Sequence, residues 1–311
     1  MELVRPVRIV LVGEAMLELS PGEGGSWRMG YGGDTLNTAI HLARLGHDVA
    51  YLTALGADQF SAGLRADWAA EGIDAGLILT DPDRQPGLYA IATDAAGERS
   101  FTYWRNDSAA RRLFELPATE AVVAAAAQAD LLVFSLISLA ILPPAGQAAL
   151  LALARAVRAR GGKVAFDGNY RPRLWADGPS ARAARDAALA GADIGLPTLE
   201  DEAALTGAAD AEAVAREWGG HGVDEVVVKL GAEGCLCPDG HLVAPPEVLR
   251  PLDTSGAGDA FNAGYLHARM AGAPPGEAAM LGHRLAGWVV LRRGAVPARD
   301  DAAPYAVSSP V

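Results

Sequence analysis

The stretch Asp253-Thr254-Ser255-Gly256-Ala257-Gly258-Asp259-Ala260-Phe261 leads without a break into a helical pattern, with Phe261, Leu266, Ala268 and Met270 available for packing. Side chains are nearly absent at 256–258, so backbone N–H groups there can crowd against a ligand. At the positive end of a helix dipole such N–H groups form an anion cradle. Asp259 then stands beside the cradle, and a carboxylate is a poor neighbour for a bound phosphate unless it takes a proton from the attacking group. That conflict points to a general base for phosphoryl transfer. A plain helix start capped by Ser255 or Asp259 fits the same residues, and the stretch alone does not separate the two readings. Two other phosphate motifs are excluded. Lys163 and Lys229 are followed by Val164 and Leu230, which rules out a Gly-x4-Gly-Lys-Ser/Thr loop, and Phe261 stands where a dinucleotide fingerprint needs Gly or Ala.

On either side of this stretch, short apolar runs alternate with helical patterns. Val7–Gly13 reads as a continuous buried strand, Asp34–Leu45 as a helix, Val49–Leu55 as a strand and Phe60–Ala70 as a helix. Further strands are expected at Leu131–Ser135, Lys163–Asp167, Ile194–Leu196 and Glu225–Lys229, with Ala-rich helices between them. This alternation predicts an α/β fold of parallel strands joined by crossover helices and buried on both faces. One segment breaks the rhythm. Gly87–Thr93 and Arg99–Arg105 alternate around the turn-rich Asp94–Glu98, the pattern of a β-hairpin. A hairpin among βα units has no ready place in a parallel core, so it is expected to project as a lid, with Glu14–Leu19 as a further strand.

The chain has 311 residues, half of them apolar, which allows two domains or one large one. The hairpin resolves that choice towards a single domain over 1–311 with a discontinuous lid from about 14–32 and 86–106. A net charge of −12 argues against nucleic acid or an anionic membrane surface as partner. The apolar run Leu131–Ala154 is broken by Pro143-Pro144, too early for a span of about 20 residues. Met1–Arg5 carries no basic patch ahead of an apolar core, so no signal peptide is expected. Cys235 and Cys237 are too few for a disulfide framework or a four-ligand zinc site and read as buried thiols of a cytoplasmic protein. Among 26 basic residues only Lys163 and Lys229 are lysines.

A second glycine cluster, Gly30-Tyr31-Gly32-Gly33-Asp34-Thr35-Leu36-Asn37, also opens a helix. Asp34 and Asn37 lie three apart and can share one face, a pairing suited to a polyol, although Asp34 as a simple helix cap fits equally. On the hairpin, Tyr103 and Arg105 share a face, and a guanidinium fork matches a carboxylate; ordinary strand packing with a solvated arginine is the alternative. The two glycine clusters resemble the paired signatures of the ribokinase-like (PfkB-type) carbohydrate kinases. Gly13-Glu14-Ala15-Met16-Leu17-Glu18-Leu19, Thr53-Ala54-Leu55-Gly56, Pro86-Gly87-Leu88-Tyr89, Gly97-Glu98-Arg99, Tyr103-Trp104-Arg105-Asn106 and Asn169-Tyr170-Arg171-Pro172-Arg173-Leu174-Trp175 extend the resemblance to the 2-keto-3-deoxygluconate kinases of that family, over residues from about 7 to 297.

The resemblance implies a three-layer α/β/α sandwich with a mostly parallel central sheet and a small β-sheet lid. It implies Asp259 as catalytic base towards the C6 hydroxyl of the sugar, and Gly256, Ala257 and Gly258 as an anion hole for the phosphoryl group of ATP. Gly33, Asp34, Asn37, Tyr89, Tyr103, Arg105 and Arg171 match the substrate positions. Asn169, Tyr170, Arg171, Lys229, Leu230, Gly231 and Gly234, with Gly256 and Gly258, match nucleotide positions. Counting back from Leu205-Thr206-Gly207 places Asp201 where relatives carry a glutamate linked to Mg2+ through water, with Thr198 in place of an asparagine. Asp253, Ser255 and Gly294 match a monovalent cation site found in parts of the family, which makes K+ a further candidate. The expected activity is ATP-dependent phosphorylation of 2-keto-3-deoxy-D-gluconate, by a homo-oligomer whose lids pair. The alternatives are a fructokinase or ribokinase, an adenosine-type nucleoside kinase, and a non-catalytic sugar-acid sensor that keeps the fold.

Overall fold

Strands β1 (Arg8–Val12), β4 (Asp48–Gly56), β9 (Leu131–Ser135) and β10 (Lys163–Asp167) are near-continuous apolar runs, and the structure buries them on both faces. The computed structural model describes residues 8–93 and 99–305. Val7, Met1–Arg5, the expected turn Asp94–Glu98 and the motif residues Gly97 and Glu98 lie outside the described residues.

In chain order, β1 is followed by β2 (Met16–Pro21), β3 (Trp27–Gly32), α1 (Asp34–Arg44), β4, α2 (Gln59–Ala70), β5 (Ile73–Asp74), β6 (Ile78–Asp81), β7 (Gly87–Thr93) and β8 (Arg99–Trp104). Next come α3 (Thr119–Ala126), β9, α4 (Leu136–Ala140), α5 (Pro144–Ala159), β10, α6 (Gly178–Leu189), β11 (Ile194–Gly195), α7 (Leu199–Thr206) and α8 (Ala211–Gly220). The chain then forms β12 (Glu225–Val226), β13 (Val228–Lys229), β14 (Cys235–Leu236), β15 (Leu242–Val243), α9 (Ala257–Met270) and α10 (Pro275–Val290). The main sheet has the order β12-β11-β10-β9-β1-β4-β5, with β6 also on β4, and every pairing is parallel.

Successive residues of each strand face opposite layers. Val10, Leu52, Phe134 and Phe166 pack with α3, α4, α5, α6 and α8. Ile9, Leu11, Tyr51, Val133 and Ala165 pack with α1, α2, α9 and α10. The three-layer sandwich is therefore written in the alternation within each strand. Among the described residues no helix is long and apolar enough to cross a membrane. The Leu131–Ala154 run becomes β9, α4 and the start of α5, which opens on Pro144 at its first turn. Cys235 and Cys237 are free and buried.

The hairpin joins a four-stranded sheet of order β3-β2-β7-β8, with β2 and β7 parallel and both outer pairs antiparallel. The strand expected over Glu225–Lys229 divides in two. Glu225–Val226 pairs with β11 in the main sheet, whereas Val228–Lys229 turns into an antiparallel sheet with β14 and β15. Lys229 keeps a parallel bridge to Thr198, its N–H donating to the Pro197 carbonyl at 2.8 Å, and its side chain reaches Asp167 at the carboxyl end of β10, the side on which open α/β sheets take ligands.

Candidate active site

Helix α9 begins at Gly256, which takes the left-handed conformation (φ 70°) and receives no side-chain cap. A Cβ there would lie 2.5 Å from Cβ of Ala295 and 2.9 Å from its carbonyl oxygen, so only glycine fits both the angle and the space. Neither Ser255 nor Asp259 caps the helix; the Ala257 N–H turns back onto the Thr254 carbonyl at 3.3 Å, and no side chain covers the first turn. Asp253 closes the loop instead. Its carboxylate accepts the N–H of Ser255 at 2.9 Å and that of Gly294 at 2.8 Å.

The other glycine-framed helix start meets this one. Gly33, not Asp34, occupies the N-cap of α1, and a Cβ on Gly33 would clash with the Glu14 carbonyl oxygen. Asp34 is thus released from capping, and its carboxylate accepts Nδ2 of Asn169 at 3.0 Å. Asn37 donates from Nδ2 to Asp259 at 2.8 Å. Its own Oδ1 is a buried acceptor with no partner among the described residues. Loss of water around Asp259 pushes its pKa up to about 8; the nearby Asp34 carboxylate adds to the rise, and the Asn37 bond works against it. A proton acceptor placed near neutral pH, beside an anion cradle, is the combination that phosphoryl transfer to a hydroxyl requires.

Lys229 is buried, and its Nζ donates to Asp167 at 3.1 Å and to Asn262 at 3.0 Å, while Asn262 donates to the other Asp167 oxygen at 2.7 Å. A Cβ on Gly258 would lie 3.8 Å from Nζ, which places the ammonium beside the cradle. The second lysine, Lys163, pairs with Asp193 at 3.3 Å and is mostly exposed. Leu230, Gly231 and Gly234 follow Lys229 in the turn between β13 and β14. Tyr170 is buried and Asn169 lies against Asp34. Arg171 is half exposed and pairs with Asp201 at 3.1 Å, so it turns towards the acidic start of α7 rather than standing free. Desolvation raises the pKa of Asp201; Arg171 opposes the rise and Asp167 adds to it.

Tyr89 and Tyr103 face each other across β7 and β8, with ring centroids 5.9 Å apart. Tyr89 donates to Glu18, and the Arg105 guanidinium lies 5.9 Å from the Tyr103 ring centroid. Arg105 is neither solvated nor unpaired. It is buried, and its Nε and Nη2 both donate to one oxygen of Glu14. Glu14, Glu18, Asp167 and Asn262 were not singled out from the sequence. Asp167 had a signal, a carboxylate ending an apolar strand, and Asn262 another, an amide on a helix face otherwise filled by Phe261 and Tyr265. The glutamates had none, because their partners lie 91 and 71 residues away.

Residues 7–302 match the family described as pfkB family carbohydrate kinase. A 2-dehydro-3-deoxygluconokinase from Dickeya dadantii (strain 3937) is 46% identical over 298 residues, 93% of this chain and 96% of that protein. The crystal structure of a PfkB protein from Polaromonas sp. JS666 superposes with a TM-score of 0.78 at 32% identity, covering 90% of this chain and 94% of that one. A fructokinase double mutant from Vibrio cholerae O395, in fructose-, ADP- and potassium-bound form, gives a TM-score of 0.81 at 26% identity, covering 96% and 97%.

Proposed function

This chain belongs to the pfkB family of carbohydrate kinases, and from that premise we propose that it transfers the γ-phosphate of ATP to the C6 hydroxyl of 2-keto-3-deoxy-D-gluconate. The products are 2-keto-3-deoxy-6-phosphogluconate and ADP. The observation that carries the reading is the meeting of the two helix starts, where Asn37 of one holds Asp259 of the other at 2.8 Å. The 46% identity to a 2-dehydro-3-deoxygluconokinase and the Arg105–Tyr103 wall favour the keto-deoxy acid over a neutral sugar.

Asp259 takes the C6 proton as that oxygen bonds to the γ-phosphorus, and the bond from phosphorus to the β–γ bridging oxygen breaks. N–H groups at Gly256, Ala257 and Gly258 hold the transferring phosphoryl group, with Lys229 beside them. Asp34, Asn37, Tyr89 and Tyr103 orient the sugar, and Asn169, Tyr170, Leu230, Gly231 and Gly234 frame the nucleotide. Asp201, a desolvated carboxylate within the field of Asp167, suits a hydrated divalent cation and would hold Mg2+ through water, the ion neutralising phosphate charge when bound. A potassium ion beside Asp253 would share a carboxylate whose oxygens already take the N–H groups of Ser255 and Gly294.

The sheet β3-β2-β7-β8 acts as the lid of a single kinase domain working in the cytoplasm. Its outer face exposes Trp27 (57%), Met29 (59%) and Trp104 (57%), large apolar groups that a second copy of the chain would cover. Light scattering is expected to give a multiple of 32.1 kDa, and a monomer mass would overturn the pairing.

An ADP-release assay over 2-keto-3-deoxygluconate, fructose and ribose tests the activity. The acid is expected to exceed fructose in kcat/KM by about a hundredfold or more, because a site built for a charged group is left unpaired by a substrate without one. Preferred turnover of fructose would replace the acid reading with a fructokinase. Acid binding without any ADP release would point to the sensor.

A further inference from the structure

All four legs of the lid sheet meet at one buried residue, Glu14, two at its backbone and two at its side chain. β2 leaves the core directly after it. β3 returns through Gly33, where the Glu14 carbonyl oxygen occupies the space of a Cβ. β7 leaves at Gly87, where a Cβ would lie 2.8 Å from Glu14 Oε1, 2.9 Å from Met16 Cγ and 3.1 Å from Arg105 Cβ. β8 returns to Arg105, whose Nε and Nη2 both close on Glu14 Oε2. The Glu14 side chain is fully buried and its Oε1 has no hydrogen-bond partner among the described residues.

A carboxylate so incompletely satisfied is a poor stabiliser, since burying a charge costs more than a lone pairing returns. It does fix a guanidinium. Two donors on one oxygen set the plane of Arg105, and the free edge at Nη1 makes no hydrogen bond among the described residues and is not among the sealed, unpaired atoms. We propose that Glu14 is the positioning residue for acid recognition: it holds Arg105 edge-on beneath the lid, so that Nη1 meets the substrate carboxylate and the four lid legs are tied to that contact. Glu14 touches neither the sugar nor the phosphate and acts through Arg105. The inference rests on the proposed function for the identity of the substrate.

Steady-state kinetics of Glu14→Gln test it, at a temperature where a thermal melt shows the variant folded. The KM for 2-keto-3-deoxygluconate is expected to rise about tenfold, with kcat and the KM for ATP within about threefold of wild type, the pattern of a lost binding contact. Gly87→Ala supplies a second variant with every charge in place; its methyl presses on Glu14 Oε1 and should raise the same KM. An unchanged acid KM in both variants, or acid and ATP KM rising together, overturns the role of Glu14. If wild type itself prefers fructose, the proposed function falls and this inference with it. If wild type prefers the acid and the variants do not move its KM, only Glu14 is misassigned.

Discussion

Replacing Asp259 with asparagine is expected to lower kcat by about 10²–10⁴-fold, the range a positioned general base contributes, while the KM values stay close to wild type. Asparagine keeps the shape and can still meet Asn37, but it takes no proton from C6. The pH profile gives a second reading of the same group. With a pKa pushed up to about 8, Asp259 is largely protonated at pH 7. The kcat/KM of the wild type should therefore fall as pH drops below about 8, tenfold per unit on the acid limb. Stability moves the other way. The native state holds a proton on Asp259 that the unfolded chain, with an ordinary value of 3.8, has released, so stability is lost as pH rises from about 4 to about 8. Asp259→Asn should remove that loss and melt higher than wild type at pH 8. Near-wild-type turnover by the asparagine variant would remove Asp259 from the chemistry.

Arg105→Met carries the second large effect, on two readouts at once. It deletes the donor expected to meet the substrate carboxylate, which should raise the acid KM by about a hundredfold with little change in the KM for ATP. It also leaves the fully buried Glu14 carboxylate without its cation, at a cost of about 3–5 kcal/mol in a denaturant melt. Adding Glu14→Gln to the same chain should return most of the stability and none of the acid binding. Recovery of both together would mean that Arg105 serves only the ion pair. A single variant as stable as wild type would mean that the pair is not closed in solution.

The parts of the molecule legible in the sequence are those whose signal is local. A strand buried on both faces must be apolar throughout, so Leu131–Ser135 and Lys163–Asp167 announce themselves and their helices follow by alternation. The two helix starts are legible because a ligand-facing first turn needs small residues at 256–258 and at 32–33. The family resemblance adds expected roles that no spacing supplies, such as those of Tyr89 and Arg171. What stayed hidden depends on contacts between distant segments. Arg105 looks like a free guanidinium until the fold brings up Glu14, and Arg171 likewise until Asp201 arrives 30 residues later. The continuous pattern of Glu225–Lys229 could not show that the chain changes sheets at Val227, since both halves are equally apolar.

The Asn37–Asp259 contact joins residues 222 apart in the chain, and Asp34–Asn169 joins residues 135 apart. A growing polypeptide presents Asp34 and Asn37 long before Asp259, because α9 and the Gly294–Ala295 segment that braces it come last. Closing loops of that length is slow and happens late. A nascent or prematurely ended chain would therefore carry Asn37 without Asp259, its partner across the site. On the proposed function, ATP turnover is expected only from a chain that has grown past α9 and the Gly294–Ala295 segment.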